Sequence, residues 1–230
     1  MSTRPWTTAV AIFAKTPGLT PAKTRLAAGV GPAIAESFYL RALEITEQVA
    51  CAAATTDPGL TPYWAVAEQE GIGRECWSGL PQLWQGDGDL GSRLAHVYDT
   101  LLARHDAVLL IGSDSPLLVP GHLLQARAML QGNDREFVMG RALDGGFYLL
   151  GGTVPLSQTV WTTVSYSGAD TAEQLLANLE PVGSVGQLEP LPDVDTVDDL
   201  QVIPALAAAS TDLLPAQRAL VEWIRRLAPR

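Results

Sequence analysis

The feature that most constrains the fold is a regular alternation of short, wholly apolar runs with segments of helical periodicity. Residues 9–14 and 107–111 are uninterrupted apolar runs of strand length, as in strands that are buried on both faces of a sheet. Residues 32–53 and 92–103 instead repeat apolar side chains every three or four positions, which is typical of amphipathic helices. This βαβα order predicts a mainly parallel sheet.

The same patterns continue through the rest of the chain. They predict further strands at 62–67, 136–140 and 146–151, and helices at 120–130, 171–178, 197–208 and 215–227. Hydrophobic residues make up 47% of the sequence, which is enough for a large core, and no linker or repeat divides it. We therefore expect one domain over residues 1–230, folded as a three-layer α/β/α sandwich with a mainly parallel mixed sheet.

Charge and cysteine content exclude several classes of protein. The net charge is −10 without any Lys/Arg-rich block, so the overall field repels nucleic acid. No stretch approaches the roughly 18 apolar residues of a membrane span, and the first apolar run is too short for a signal peptide. Cys51 and Cys76 lack any metal-binding or redox spacing and are expected to be reduced thiols. We expect a cytoplasmic protein that does not bind membranes.

A basic loop directly follows the first predicted strand. Ligands of open parallel sheets bind beyond the carboxyl ends of the strands, so this loop is a candidate site. It carries residues suited to nucleotide phosphates, because cations and glycine-loop amides both offset phosphate charge: Lys15, Gly18, Lys23, Thr24 and Arg25. A P-loop is disfavoured, since Pro17 and Ala22 stand where that motif has glycine. An ordinary solvated loop is the alternative.

Carboxylates follow two other predicted elements. Asp114 comes just after the apolar run 107–111, while Asp193 and Asp195 alternate and would face one side of an extended segment 188–195. Mg²⁺ and Mn²⁺ accept such oxygen ligands together with phosphate oxygens, so these three aspartates are candidate metal ligands. The alternatives are a turn-capping role for the first aspartate and helix capping by the threonine that follows the last.

Two further segments contribute weaker candidates. Asp144-Gly145-Gly146 lies between two predicted strands and is typical of a hairpin turn. The segment QGDGDLG resembles no complete calcium loop, and the helix after it carries Arg93, which joins the candidate donor-binding residues. No Ser/His/Asp or Cys/His arrangement indicates a nucleophilic triad.

Taken together, the segments AIFAKTPGLTPAKTRL, QGDGDLGSRL, LLIGSDSP, LDGGFYLLG and DVDTVDDL resemble one bacterial family. It is the glycosyltransferase family known as radical-SAM/selenodomain-associated transferase 1, and the resemblance covers about residues 9–200. That family is similar to the nucleotide-diphospho-sugar transferase superfamily and, more distantly, to guanylyltransferases that make molybdenum and deazaflavin cofactors. The resemblance implies a GT-A-like fold and a nucleotide-activated donor.

The resemblance also implies roles for single residues. Asp114 matches the metal-binding aspartate after the central strand, and Asp195, together with Asp193, matches the distal position that completes the metal site. Three cations match the phosphate loop, namely Lys15, Lys23 and Arg25. Asp144 would lie on the acceptor side, where it would bind or deprotonate the incoming group. Arg141 stands where the family has proline and could alter the charge preference for the acceptor.

One departure from the glycosyltransferase pattern bears on the reaction. The Asp-x-Asp motif is replaced by Ser113-Asp114-Ser115, and a single aspartate with a lysine-containing loop better suits nucleotidyl transfer, in which cations stabilise charge on the α-phosphate. We therefore expect metal-dependent nucleotidyl transfer from a nucleoside triphosphate to a small acidic acceptor, with Lys23 and Arg25 holding phosphates. Sugar transfer from a nucleotide-diphospho-sugar and a noncatalytic nucleotide-binding module are the alternatives.

Overall fold

The computed structural model describes residues 4–132, 135–166 and 168–227. The described residues contain one sheet of seven strands: β1 (Thr8–Ala14), β2 (Leu60–Val66), β3 (Gln82–Trp84), β4 (Ala107–Ile111), β5 (Phe137–Ala142), β6 (Phe147–Gly152) and β7 (Val185–Leu191). Their spatial order is β3-β2-β1-β4-β6-β5-β7. The predicted single domain also includes residues 1–3, 133–134, 167 and 228–230, which lie outside the described residues.

The sheet is mainly parallel, as predicted, with one antiparallel strand. β1 pairs in parallel with β2 and β4, β2 with β3, and β5 with β7, whereas β6 runs antiparallel to both of its neighbours. Only four residues connect β5 to β6, and a connection that short can join only antiparallel neighbours. The hairpin predicted from Asp144-Gly145-Gly146 is confirmed.

Helices cover both faces of the sheet. They are α1 (Thr24–Val30), α2 (Pro32–Thr56), α3 (Leu90–Leu102), α4 (Pro120–Gln131), α5 (Gln158–Thr162), α6 (Thr171–Leu179), α7 (Val197–Ala207) and α8 (Pro215–Leu227). Alternate side chains of β1 enter two separate cores: Val10 and Ile12 lie in the core with α2, α4, α7 and α8, whereas Ala9 and Ala11 lie in the core with α3, α5 and α6. The three-layer α/β/α sandwich is confirmed.

Three short elements and one boundary differ from the predictions. α1 begins within the basic loop, and neither it nor β3 and α5 was predicted, because helices of five to seven residues and a strand of three are too short to show a period. The segment 188–195 is not extended throughout, since β7 ends at Leu191. Cys51 and Cys76 are free thiols, and no helix within the described residues is long and apolar enough to cross a membrane.

Candidate functional site

A cleft of about 790 Å³ lies at the carboxyl ends of the parallel strands. Its walls come from the segments that follow β1, β4, β5 and β7 and from the start of α3. The predicted site residues that line it come from five separate parts of the chain: Lys15, Lys23, Thr24, Arg25, Arg93, Asp114, Asp144, Asp193 and Asp195. Gly18 does not line the cleft. It has φ +79° in a turn closed by the Leu19 N–H to Thr16 carbonyl bond, a backbone conformation that favours glycine.

The beginning of the basic loop is held by a buried tyrosine. The Lys15 N–H donates to the Tyr39 hydroxyl over 2.8 Å, and this hydroxyl donates to the Lys15 carbonyl over 2.7 Å. One residue further, the Thr16 N–H donates to the Glu68 carboxylate over 2.7 Å. Burial raises the pKa of Tyr39, so its hydroxyl stays protonated and able to donate. The Lys15 side chain itself is exposed at the mouth of the cleft.

Lys23 is buried at the centre of an ion cluster. Its Nζ donates to Asp114 Oδ1 over 2.8 Å, to Asp195 Oδ1 over 2.9 Å and to the Val194 carbonyl over 2.6 Å, and the side chain is only 3% exposed. Burial by itself lowers the pKa of Lys23, but the two carboxylates outweigh it and raise the pKa above its usual 10.5. Lys23 therefore stays charged, and it joins the loop after β1 to those after β4 and β7.

Arg25 adds a second cation at the rim of this cluster. Its Nη2 lies 2.5 Å from Asp195 Oδ2, while its side chain is 71% exposed. Burial raises the pKa of Asp195, but the charges of Lys23 and Arg25 hold it below its usual range. The cations predicted to hold phosphates thus contact two of the aspartates predicted to hold a metal.

A group of three carboxylates lies beside Lys23. One oxygen each of Asp144, Asp193 and Asp195 lies within 4.8 Å of the others. Within the described part of the chain, neither Asp144 nor Asp193 forms a salt bridge. Burial, followed by the charge of Asp144, raises the pKa of Asp193 to about 6. Like charges gathered in a half-buried cleft are stabilised by a cation, and carboxylate oxygens suit Mg²⁺ or Mn²⁺.

The residues that the structure brings together differ in one respect from the predicted metal ligands. Asp144, expected on the acceptor side, belongs to the carboxylate group, whereas Asp114 lies outside it and is connected through Lys23. The parallel pairing of β5 with β7 explains this, because it brings the turn after β5 beside the segment after β7. Only the sheet order could have revealed the neighbourhood, and the sequence does not provide it.

Backbone hydrogen bonds fix the loops that carry the aspartates. The Val194 N–H donates to the Asp114 carbonyl over 3.0 Å, and the Leu143 N–H donates to the Leu191 carbonyl over 3.0 Å. Thr196 caps α7, as predicted, in a reciprocal pair with Asp199, whose carboxylate also accepts from the Asp195 N–H. The cap therefore helps to set the direction of the Asp195 side chain.

The opposite wall of the cleft is formed around the start of α3. The Arg93 Nε donates to the Gly88 carbonyl over 3.0 Å, which holds this guanidinium against its own loop. Tyr166 and Leu90 supply apolar surface there, and neither was predicted to be a site residue. Arg141 pairs with Glu173 at 3.3 Å and is not among the residues that line the cleft.

Residues 46–168 match the model of a family described as an uncharacterized protein conserved in bacteria, DUF2064. This chain belongs to that family. The DUF2064 match includes Arg93, Asp114 and Asp144 and ends before β7, so Asp193 and Asp195 lie outside the matched residues. Among curated proteins, none matches this DUF2064 chain.

Solved structures of other proteins share the fold of this DUF2064 chain. One, from Desulfovibrio desulfuricans G20, bears the name "putative nucleotide-diphospho-sugar transferase"; it is 25% identical over 96% of each chain, with a TM-score of 0.83. A cytidylyltransferase from Leptospira borgpetersenii is 14% identical over 96% of this chain and 95% of its own, with a TM-score of 0.55.

CMP:2-keto-3-deoxy-manno-octonic acid synthetase, solved with CTP, is 14% identical over 88% of this chain and 98% of its own, with a TM-score of 0.54. At such low identity it and the cytidylyltransferase share the fold alone. The similarities confirm the predicted fold, that of the nucleotide-diphospho-sugar transferases, and show that cytidylyltransferases share it.

Proposed function

We propose that this chain is a metal-dependent transferase that acts on a nucleotide-activated donor, as its resemblance to radical-SAM/selenodomain-associated transferase 1 implies. The observation that carries the proposal is the juxtaposition, in one cleft, of a basic loop and a group of carboxylates. Lys23 and Arg25 lie at hydrogen-bond distance from Asp195, whose other neighbours are Asp144 and Asp193. A donor with several phosphates and a divalent cation satisfies both halves of such a cleft.

The metal would be held by Asp193 and Asp195 together with Asp144, and Asp114 would join them as the resemblance implies. When bound, Mg²⁺ or Mn²⁺ supplies positive charge that stabilises the phosphates of the donor. Lys15, Lys23, Thr24 and Arg25 would orient these phosphates, with Arg93 approaching from the opposite wall.

Nucleotidyl transfer is the reaction that we favour. An oxygen of a small acidic acceptor attacks the α-phosphorus of a nucleoside triphosphate, the new P–O bond forms, the bond to the β-phosphate oxygen breaks, and pyrophosphate leaves. The lone Asp114 between two serines supports this reaction, because glycosyltransferases of this fold commonly use paired aspartates there. The Asp144 oxygen that does not bind the metal would bind the acceptor.

Sugar transfer is the second candidate. It is supported by the similarity, over 96% of each chain, to a protein named as a nucleotide-diphospho-sugar transferase. The products separate the two reactions, since sugar transfer releases a nucleoside diphosphate and nucleotidyl transfer releases pyrophosphate.

A thermal-shift screen tests the proposal. Nucleoside triphosphates and nucleotide sugars would be compared with and without Mg²⁺ or Mn²⁺, because a specific ligand raises Tm by mass action. We expect a metal-dependent shift that Asp193→Asn and Asp114→Asn reduce and that the exposed, matched Asp198→Asn retains. Pyrophosphate release with added acceptors would follow.

The outcomes separate three functions. A shift with nucleotide sugars alone favours sugar transfer, and tight binding of nucleotide without turnover favours a noncatalytic module. Absence of any shift at millimolar nucleotide would exclude the proposed donor site.

A further inference from the structure

Every hydrogen-bond donor of the Lys23 ammonium is already in use. A lysine ammonium has three N–H groups, and three oxygens surround this one, from Asp114, Asp195 and the Val194 carbonyl, at 2.6–2.9 Å. The side chain is almost wholly buried, so water does not compete for these bonds. Lys23 can therefore bind a phosphate only if it first releases at least one of its present partners.

Both carboxylate oxygens of Asp195 are likewise already paired with cations. Its Oδ1 faces Lys23 and its Oδ2 faces Arg25. A divalent ion that approached either oxygen would meet a positive charge already at hydrogen-bond distance from that ligand. The repulsion is strongest at Lys23, because burial removes the solvent that would screen it, while the exposed Arg25 is screened.

The choice of lysine at position 23 and its backbone conformation both indicate that Lys23 is held in place by its contacts. A compact ammonium fits three converging oxygens better than a planar guanidinium, and Lys15 and Lys23 are the only lysines in the sequence. Among the described residues, Lys23 is also the only non-glycine with positive φ, at +55°. A side chain disfavours this left-handed conformation, so release of the ammonium would let the backbone relax.

We propose that Lys23 occupies the place of a divalent cation between Asp114 and Asp195, so that the metal enters only together with the phosphates of the donor. This inference rests on the proposed function. As metal and phosphates bind, Lys23 and Arg25 exchange their carboxylate partners for phosphate oxygens, and the carboxylates exchange the two cations for the metal. Each charge thus keeps a partner of opposite sign throughout the exchange, and no covalent bond changes.

Reciprocal coupling between metal and phosphate follows from this exchange. A metal alone that binds Asp114 or Asp195, or a phosphate alone that binds Lys23, must break contacts of the Lys23 cluster without replacing all of them. The two together replace them. Inorganic pyrophosphate should therefore strengthen the binding of Mn²⁺, and Mn²⁺ should strengthen the binding of pyrophosphate by the same factor.

The first test measures Mn²⁺ binding by electron paramagnetic resonance, with and without inorganic pyrophosphate. In Lys23→Met the carboxylates lose their internal cation, so we expect Mn²⁺ alone to bind on the order of tenfold more tightly than to the wild type. Pyrophosphate should enhance Mn²⁺ binding on the order of tenfold in the wild type and far less in the variant. Lys15→Met is the matched control for the binding of Mn²⁺ alone, since it removes the same charge from the same loop, and the Lys15 ammonium lies against the Pro21 carbonyl instead of a carboxylate.

Two results would overturn the inference. One is equal Mn²⁺ affinity in the wild type and Lys23→Met; the other is an equal gain in Lys15→Met, which would reduce the effect to net charge. If pyrophosphate binds to no variant, the proposed donor site fails, and the comparison of Mn²⁺ affinities still decides the role of Lys23.

A second measurement uses the wild type and does not depend on the folding of a variant. With only two lysines, ¹⁵N NMR resolves both side-chain ammonium groups, and the buried one should be protected from exchange with water. Mg²⁺ alone should leave this signal in place, while Mg²⁺ with pyrophosphate should shift it. A shift with Mg²⁺ alone would contradict the inference.

Discussion

At the scale of single residues, the site is organised by differences in charge pairing among four aspartates. Asp114 and Asp195 have a lysine partner, whereas Asp144 and Asp193 have no salt bridge within the described residues. The pKa values differ accordingly, since cations hold that of Asp195 below its usual range and burial with like charge raises that of Asp193 to about 6. The ionised Asp193 carboxylate therefore lowers the stability of the metal-free fold.

Asp193 should make stability depend on pH. Its pKa rises on folding from 3.8 to about 6, so the folded state binds the proton more tightly, and this stabilisation is complete below the unfolded pKa and is lost as pH rises through about 6. We therefore expect Asp193→Asn to have a higher Tm than the wild type at around pH 8, in metal-free buffer, and the gap to narrow towards around pH 4. Asp198→Asn should show no such dependence, and a lower Tm for Asp193→Asn at high pH would contradict the assignment.

The β5–β6 turn requires glycine at position 145. Its φ is +94°, and a Cβ added there would lie 1.7 Å from the Ala169 carbonyl oxygen. Gly145→Ala must therefore push the β5–β6 turn away from the segment before α6 and displace the neighbouring Asp144. We expect a clear fall in Tm and loss of metal-dependent stabilisation, measured by thermal unfolding. Gly121→Ala is the control, because its added Cβ would meet only Val119, at 3.9 Å, and a wild-type Tm in Gly145→Ala would refute the argument.

At the scale of elements, α7 connects the acidic segment to the core. Its first residues form a reciprocal cap between Thr196 and Asp199, and its buried Leu200 and Ile203 lie in the core shared with α2 and α8. Because Asp199 also accepts from the Asp195 N–H, the start of this helix and the position of a candidate ligand are coupled.

Removal of the cap should affect both stability and metal binding. Thr196→Ala should lower the free energy of unfolding by about 1 kcal/mol, the usual contribution of such a cap. It should also weaken Mn²⁺ binding in the presence of pyrophosphate, because the Asp195 segment loses its support. Thr196→Ser keeps the hydroxyl and should restore both quantities in denaturant titrations and metal titrations. Loss of stability without any change in Mn²⁺ binding would disprove the coupling.

The long elements and the polar residues at the ends of strands could be predicted from the sequence. Continuous apolar runs identified β1 and β4, because these strands are buried against both cores. Three- to four-residue spacing identified α2 and α3, because each of these helices buries one face against a single core. The contact of Lys23 with Asp195, across 172 residues, could not be predicted, because it depends on sheet order and on a left-handed backbone. For the same reason the sequence suggested a free phosphate-binding lysine where the structure has a buried ion cluster.

At the scale of the whole molecule, the two ends of the parallel strands differ in what they carry. The cleft lies at the carboxyl ends of these strands. Near their amino ends, Arg127 of α4 contacts Asp57 at 2.5 Å and the Trp6 carbonyl at 3.0 Å. These partners precede β2 and β1, so one buried guanidinium connects a helix to the starts of two strands. We therefore expect that the free energy of unfolding can be changed at the amino ends of the strands without a change in metal binding at their carboxyl ends.

Arg127→Met should show this separation. It retains much of the buried side-chain volume but leaves Asp57 and the Trp6 carbonyl without their partner, so the free energy of unfolding should fall by about 2 kcal/mol. Mn²⁺ binding with pyrophosphate should match that of the wild type in the folded variant, at a temperature well below its Tm. A variant that is stable but defective in Mn²⁺ binding would show that the two ends of the strands are coupled.

The Lys23 cluster also has a consequence for how the protein is made and stored. Asp114 and Asp195 receive their counter-ion from Lys23 of the same chain, so we expect the nascent polypeptide to complete its fold without a metal. Treatment with EDTA should therefore leave the Tm of the protein unchanged. After long storage in EDTA, Mg²⁺ and nucleotide added together should still raise the Tm as they do in a fresh preparation.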